Sequence, residues 1–254
     1  MADSPRSGGV QSVGRALDIL EAIDAAGGEM ALVEMSNVSG LPMPTIHRIV
    51  RTLADRGYLR QLPNRRYALG SRLIPLGATA LLAFGSRSAP ELNRIVREFG
   101  ETANLATLDS DQLVYVGQVP SPHAMRMFTD IGRRVLPHCR AAGKAMLAQL
   151  SDSEVLTILS RTGMPMITEK TIVEPAAMLT ELARIRKNGY AIEDGEMELG
   201  VSCLAVAIPS RTTLMSISMS APASRLTPSV RKRAVPFLQA VAAQLATDLD
   251  SASA

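Results

Sequence analysis

Apolar residues recur with a helical period between residues 43 and 57. Ile46, Ile49, Val50 and Leu53 fall at i, i+3, i+4 and i+7, which makes one buried stripe on a helix. Thr45, His47, Arg48, Arg51 and Thr52 fall on the opposite side. Pro44 suits the first helical position, where a missing N–H is no loss, and Gly57 ends the helix. Upstream, a helix from about Ser12 to Ala26 takes Ser12 as its cap and Ala16, Leu17, Leu20 and Ile23 as its stripe. Gly27-Gly28 stops it, and a second helix over about 31–38 ends at Ser39-Gly40. Downstream, residues 58–60 and 66–69 read as two short strands around Pro63-Asn64. This order is a winged helix-turn-helix over residues 11–70, preceded by a small, polar tail, 1–10, that reads as disordered.

The pattern then changes. Leu73, Leu76, Ala80 and Leu81 stripe a linker helix over about 72–86, within a linker segment 71–88. Its apolar content is high for a solvated connector, which suggests packing against a second subunit. From 89 to 250 helix and strand signals mix. Ser88-x-x-Glu91 and Ser151-x-x-Glu154 have the form of capping boxes. Leu92, Ile95, Val96 and Phe99 stripe the helix after Ser88. Strand-like runs cover 102–108, 112–119, 124–129, 201–208 and 214–220, with a turn at Gly132-Arg133-Arg134. Helices are expected over about 141–150, after Ser151, from Glu174-Pro175 to Asn188-Gly189, and after Thr227-Pro228. Helices covering a mixed sheet describe a small α/β ligand-binding domain, and the fold class of the whole chain is α/β (α+β).

Charge sharpens the first region. From Arg48 to Arg72 there are seven arginines and one acid, Asp55, although the whole chain carries only +3. A short helix offering hydroxyl, imidazole and guanidinium groups, followed by an arginine-tipped hairpin, suits the major groove and flanking phosphates of DNA. The DNA-facing set is Pro44, Thr45, His47, Arg48 and Arg51 on the helix, with Arg65 and Arg66 on the wing. Composition excludes several other classes. Cys139 and Cys203 stand in no metal-ligand spacing, and the three histidines are scattered, so neither a metal nor a cofactor is expected. No run approaches the ~18 apolar residues of a membrane span, and no signal segment opens the chain. A cytoplasmic protein with reduced thiols is the simplest expectation. No nucleophile–base order or carboxylate pair suggests an enzyme, and AAGK at 141–144 lacks the rest of a phosphate loop.

The segments VGRALDILEAIDAAGGEMAL, GLPMPTIHRIVRTLADRGYLRQ and RYALGSRLIPLG resemble IclR-type transcriptional regulators. So do IGRRVLPHCRAAGKAMLAQL, ELARIRKNGYAIEDGEMELGVSCLAVAI and SISMSAPASRLT, and the likeness covers about residues 11–245. The resemblance implies a winged helix, a linker helix and a C-terminal GAF-like domain. It also implies a homodimer, or a dimer of dimers, on double-stranded operator DNA, controlled by a small organic acid and regulating a catabolic or metabolic operon. By position it carries over an effector site. Ala141 and Ala142 would offer backbone N–H groups to a carboxylate at a helix N-terminus. Glu193 and Cys203 match pocket positions, and Ser218 and Ser220 are alternate residues of one strand with hydroxyls on one face. Met127 and Val135 match apolar lining positions.

Arg140 stands where many relatives have Ser or Thr. Pointing inward, it would add a cation and favour a second carboxylate on the effector; pointing outward, it would be a surface residue. Met43 and Pro44 replace the Lys or Ser common there, and the PSRTT turn at 209–213 looks shorter than usual. Lys144 and His138 read as structural. The alternative from a different class is a thiol redox switch on the same scaffold, using Cys139 and Cys203.

Overall fold

The computed structural model describes residues 9–84, 88–209 and 213–252, with side chains described for 9–80, 88–209 and 213–247. Most of the polar N-terminal tail, the middle of the PSRTT turn and the Leu81 side chain of the linker stripe lie outside the described residues. The chain divides into two compact units, 1–80 and 81–254.

In the first unit α1 (Gln11–Ala25), β1 (Glu29–Met30), α2 (Leu32–Ser39), α3 (Met43–Asp55), β2 (Leu59–Gln61) and β3 (Tyr67–Leu69) follow in order. The three strands form an antiparallel sheet ordered β1-β3-β2, the wing. Ile46, Val50 and Leu53 of α3 are buried against Ile19 and Ile23 of α1 and Met35 of α2, with Ile49 packed at the edge. Two details of α1 differ from expectation. Its cap position is Val10 rather than Ser12, with no side-chain cap bond. Its inner stripe runs through Ala16, Ile19, Leu20 and Ile23, leaving Leu17 52% exposed. The sequence has apolar residues on both sides of this helix, and only tertiary packing selects between them. α4 (Leu73–Phe84) is the linker helix, and its residues from Ile74 to Ala80 are all exposed.

The second unit contains α5 (Ala89–Phe99), β4 (Thr102–Asp109), β5 (Gln112–Val119), β6 (Arg134–Val135), α6 (Ala141–Leu147), α7 (Asp152–Thr162), α8 (Pro175–Asn188), β7 (Ala191–Asp194), β8 (Val201–Ile208), β9 (Met215–Pro222) and α9 (Pro228–Ala252). The sheet order is β6-β5-β4-β9-β8-β7, and every pairing is antiparallel, so the expected mixed sheet is corrected to an antiparallel one. α5 and α9 cover one face through Leu92, Ile95, Leu238, Val241 and Leu245. α6, α7 and α8 cover the other through Ala145, Met146, Leu159, Met178 and Leu182. The α/β layering is as the sequence implied.

Other boundaries moved for local reasons. Residues 124–129 form no strand; Met125 and Phe128 are exposed, and the edge strand is β6, which begins at the last residue of the expected turn. β7 is four residues long and carried too little alternation to be noticed. Ser88 has helical backbone (φ −88°, ψ −17°) and makes no cap bond, whereas the Ser151–Glu154 box forms. α6 stops after seven residues.

One irregularity positions the site. In the β4–β5 ladder Leu105 pairs with Gly117 and Ala106 with Tyr115, so Val116 is an extra residue, a β-bulge. Alternation is reset there. Leu113 and Tyr115 before the bulge and Gln118 after it share the face under α6.

Candidate functional site

α3 presents His47, Arg48, Arg51 and Thr52 to solvent, with Thr45 half-buried and Pro44 exposed at the first turn. Arg51 lies 3.9 Å from Asp55, one turn along, with both side chains more than 70% exposed. Such a pair contributes little and leaves the guanidinium free to exchange partners. The wing arginines part company. Arg65, in left-handed backbone at φ 65°, is exposed at the hairpin tip, where its N–H donates to the Leu62 carbonyl at 2.9 Å. Arg66 turns inward. It pairs with Glu29 at 3.1 Å and Glu34 at 2.8 Å, and donates to the Glu29 carbonyl at 3.2 Å. The Ala31 N–H and then Arg66 hold the Glu34 carboxyl below its ordinary range. Arg66 thus ties the wing to the start of α2, and a contact from its guanidinium to phosphate would have to compete with these two carboxylates.

The second cluster lies on the sheet face under α6. Register places Glu193 of β7 opposite Cys203 of β8, and Cys203 opposite Ser220 of β9. Asn104 of β4 lies opposite Ser218 on one side and Gln118 of β5 on the other. Hydrogen bonds join these into a row across four strands. The Cys203 thiol donates to Ser220 Oγ at 3.2 Å, Asn104 Nδ2 donates to Ser220 Oγ at 3.3 Å, and Gln118 Nε2 donates to Asn104 Oδ1 at 2.9 Å. Glu193 is buried at 2% exposure and accepts the Met197 N–H at 3.1 Å. Ala141, Ala142, Val135 and Cys203 pack in one cluster on this face. Met127 is tied beside the row rather than to it: its carbonyl accepts from Thr102 Oγ1, and Thr102 pairs in register with Ser220. α6 has only seven residues, and so short a helix adds little dipole to the Ala141 and Ala142 amides.

Reading the sequence missed Asn104, Gln118 and Tyr115. Thr102 and Asn104 are alternate polar residues in an otherwise apolar run, which was a usable signal. The bulge that aims Tyr115 and Gln118 left none.

Arg140, the residue before α6, points inward. Its guanidinium carbon lies 5.8 Å from the centre of the Tyr115 ring, and its Nε is buried without a hydrogen-bond partner. Burial works against its charge, but Tyr115 and the Cys139 and Cys203 thiols outweigh that and hold its pKa above the ordinary value. Burial pushes the Tyr115 phenol up to about 12, against the pull of Arg140.

Lys144, His138 and the two cysteines bear on the other chemistries the sequence offered. Lys144 is 1% exposed, paired with Glu196 and, at 3.4 Å, with Glu181 of α8. Burial pushes the Glu196 carboxyl up despite Lys144. His138 is fully buried, with Nε2 at 3.2 Å from the Pro165 carbonyl, and burial pushes its pKa down. Cys139 and Cys203 are both free, and burial pushes both thiols up. The thiolate is the reactive form, so burial opposes the redox reading of these two residues. Among the described residues no group of three His, Cys, Asp or Glu could hold a metal, and no helix is long and apolar enough to cross a membrane. A surface cleft between the β4–β5 turn and α7, lined by Leu108, Asp111, Thr157 and Arg161, holds none of the expected site residues.

Comparison with known proteins agrees with this division. Residues 12–63 match the IclR helix-turn-helix domain, and residues 82–247 match the C-terminal domain of the bacterial transcriptional regulator IclR. The chain is 37% identical to the transcriptional repressor IclR of Escherichia coli (strain K12), over 89% of this chain and 85% of that protein. It is 36% identical to the acetate operon repressor of Salmonella typhimurium, over 88% and 84%. The crystal structure of an IclR transcriptional regulator from Alicyclobacillus acidocaldarius superimposes with a TM-score of 0.83 at 28% identity, covering 94% of this chain and 98% of that one.

Proposed function

The chain belongs to the IclR family of DNA-binding transcriptional regulators, which are not enzymes, and from that premise we propose that it regulates a metabolic operon in response to a small organic acid. The observation that carries this reading is the contrast within one chain between an exposed cationic helix face and an enclosed polar row. On α3, His47, Arg48 and Arg51 stand in solvent as base and phosphate contacts, and Arg65 extends the contact from the wing. In the other unit Ser218, Ser220, Cys203 and Glu193, with Asn104 and Gln118, offer hydrogen bonds to a ligand's oxygens, and Val135, Met127, Ala141 and Ala142 give it apolar and backbone surroundings. Buried hydroxyls and amides joined to one another, next to a buried acid and an inward arginine, are a costly arrangement for a packing layer and a suitable one for a polar ligand.

The working form is a homodimer in the cytoplasm, where operator DNA is. One winged helix reads too few base pairs for operator specificity, and paired half-sites follow from two-fold symmetry. Ile74 and Leu76 of α4, 71% and 50% exposed, give a second copy an apolar surface to cover.

The test is an operator titration by fluorescence anisotropy with Arg48→Ala, Arg51→Ala and the double variant. Each base-reading arginine contributes about 1–3 kcal/mol, so the double variant loses at least about thirtyfold in operator affinity. Its response to a screen of C2–C8 organic acids, read as a thermal shift, stays intact. A double variant with wild-type operator affinity contradicts the assignment of α3. A wild type whose operator binding no acid in the screen alters contradicts the effector.

A further inference from the structure

Two cations lie close together along the chain in the C-terminal unit, and the protein treats them differently. Lys144 is enclosed and held by two carboxylates, Glu181 and Glu196. Arg140 is half-buried with its guanidinium over Tyr115, to whose phenol it is hydrogen-bonded; among the described residues it has no ion pair, and its buried Nε has no hydrogen-bond partner. A cation partly withdrawn from water without a counter-charge gains from an anion arriving with hydrogen-bond geometry. The planar guanidinium matches a carboxylate, which can take two of its N–H groups at once. The same face carries one buried acid, Glu193, in register with Cys203 and held by the Met197 N–H. Beside the Arg140 cation the site has one acidic side chain, Glu193. The groups of the Ser220–Asn104–Gln118 row are neutral. A second carboxylate would therefore meet Glu193 and no further cation.

We propose that Arg140 is the specificity-determining residue of the effector site. Its guanidinium takes the single carboxylate of the ligand, while Ser220, Asn104 and Gln118 take a hydroxyl or oxo group elsewhere on it. The chain thereby selects short hydroxy or oxo monocarboxylates over dicarboxylates and over the corresponding neutral amides. Arg140 is then the partner of the first carboxylate rather than an addition for a second. The inference rests on the effector site proposed above, and its test separates the two.

Full-length protein is titrated calorimetrically with glycolate, lactate and 4-hydroxybenzoate, with the amides of the same three acids, and with malonate and malate. At least one monocarboxylate binds, and its amide and the dicarboxylates bind at least tenfold more weakly. Arg140→Gln, which keeps N–H donors and loses the charge, weakens that acid at least tenfold; Arg140→Lys recovers part of the loss. The ligand-free melting temperature of Arg140→Gln is unchanged or higher, because an unpaired inward charge has gone. Arg140→Gln binding the acid like wild type overturns the proposal, as do dicarboxylates or amides binding as tightly as the acid. A lower ligand-free melting temperature with equal losses for acid and amide makes Arg140 a packing residue and also overturns it. Ser220→Ala is run in parallel. An acid weakened by Ser220→Ala and not by Arg140→Gln leaves the site standing and removes Arg140 from it. If no probe binds the wild type, or neither variant changes binding, the site itself falls and the inference with it.

Discussion

Between residues 48 and 72 six of the seven arginines, Arg48, Arg51, Arg56, Arg60, Arg65 and Arg72, are exposed, and only Arg66 is drawn in, by Glu29 and Glu34. The C-terminal unit, by contrast, encloses several of its charged groups. Glu101, Lys144, Glu193 and Glu196 are all buried, and each has a charged or backbone partner: Arg225 for Glu101, Glu181 and Glu196 for Lys144, the Met197 N–H for Glu193. A surface that meets a polyanion works best with cations that are hydrated and unpaired, because binding then releases counterions and sacrifices no internal pair. A site that distinguishes one small molecule from another needs the opposite. Its polar groups must be enclosed and held by each other, with a gap only where the ligand supplies the missing partner. Arg140 is such a gap.

The sharpest way to break the comparison is to damage one unit at a time through a close backbone approach. A Cβ on Gly70 would lie 2.2 Å from the Gly57 carbonyl oxygen, where the wing returns to the end of α3. A Cβ on Gly143 would lie 2.1 Å from the Pro137 carbonyl oxygen, where the chain folds over α6. Neither neighbour is a side chain that can swing away, so each Ala substitution costs about 3 kcal/mol, the upper end of the usual overpacking range. Gly70→Ala lowers operator affinity and spares acid binding; Gly143→Ala does the reverse. Equal damage to both readouts from either change would mean that the units do not stand on their own.

A second, smaller effect belongs to the C-terminal unit. The Tyr115 phenol rises from 10.0 to about 12 on burial. The folded state therefore keeps its proton where the unfolded state loses it. The stability is whole below pH 10 and declines as pH climbs toward 12, by about 2–3 kcal/mol. The thiols of Cys139 and Cys203, raised from 9.0 by desolvation, start the decline nearer pH 9. Urea unfolding at pH 8, 9.5 and 11 measures it, and Tyr115→Phe removes the part of the loss above pH 10. Superimposed profiles for wild type and Tyr115→Phe would show that the phenol is not held this way.

The same contrast explains which parts of the molecule could be read from the sequence. α3 was legible because its stripe, the proline in its first turn and its Gly57 stop are local signals that agree, although the helix begins at Met43, one residue before Pro44. The layered α/β character of the second unit followed from strand runs and helix stripes of ordinary strength. What failed was non-local. Ile19 and Leu17 are equally apolar, and only the packing of α1 on α2 and α3 decides which is inside. β6 and β7 are too short to carry a period, and they exist because β5 and β8 need edge partners. The row from Cys203 to Gln118 joins residues 85 positions apart in the chain through strand register and one bulge at Val116, which no local pattern encodes. The direction of Arg140 is non-local too: a residue at the mouth of a helix can face either way, and Tyr115, brought beneath it by the sheet, decides.

The smallest effect divides two adjacent residues, one on each side of the comparison. Arg65 sits at the wing tip with its side chain in solvent, and Arg66 is committed to Glu29 and Glu34. If exposure is what makes a cation available to phosphate, Arg65→Ala weakens binding to operator and to random duplex alike, and lowers the slope of log affinity against log salt by about 1. Arg66→Ala leaves that slope unchanged and slightly lowers the melting temperature of the N-terminal unit, because the wing loses its tie to the start of α2. Arg66→Lys repairs this only in part, since one ammonium cannot meet both carboxylates and the Glu29 carbonyl as the guanidinium does. An equal fall in slope for both variants would mean that Arg66 leaves its carboxylates when DNA arrives, and that position in the free protein does not decide which cations reach the phosphates.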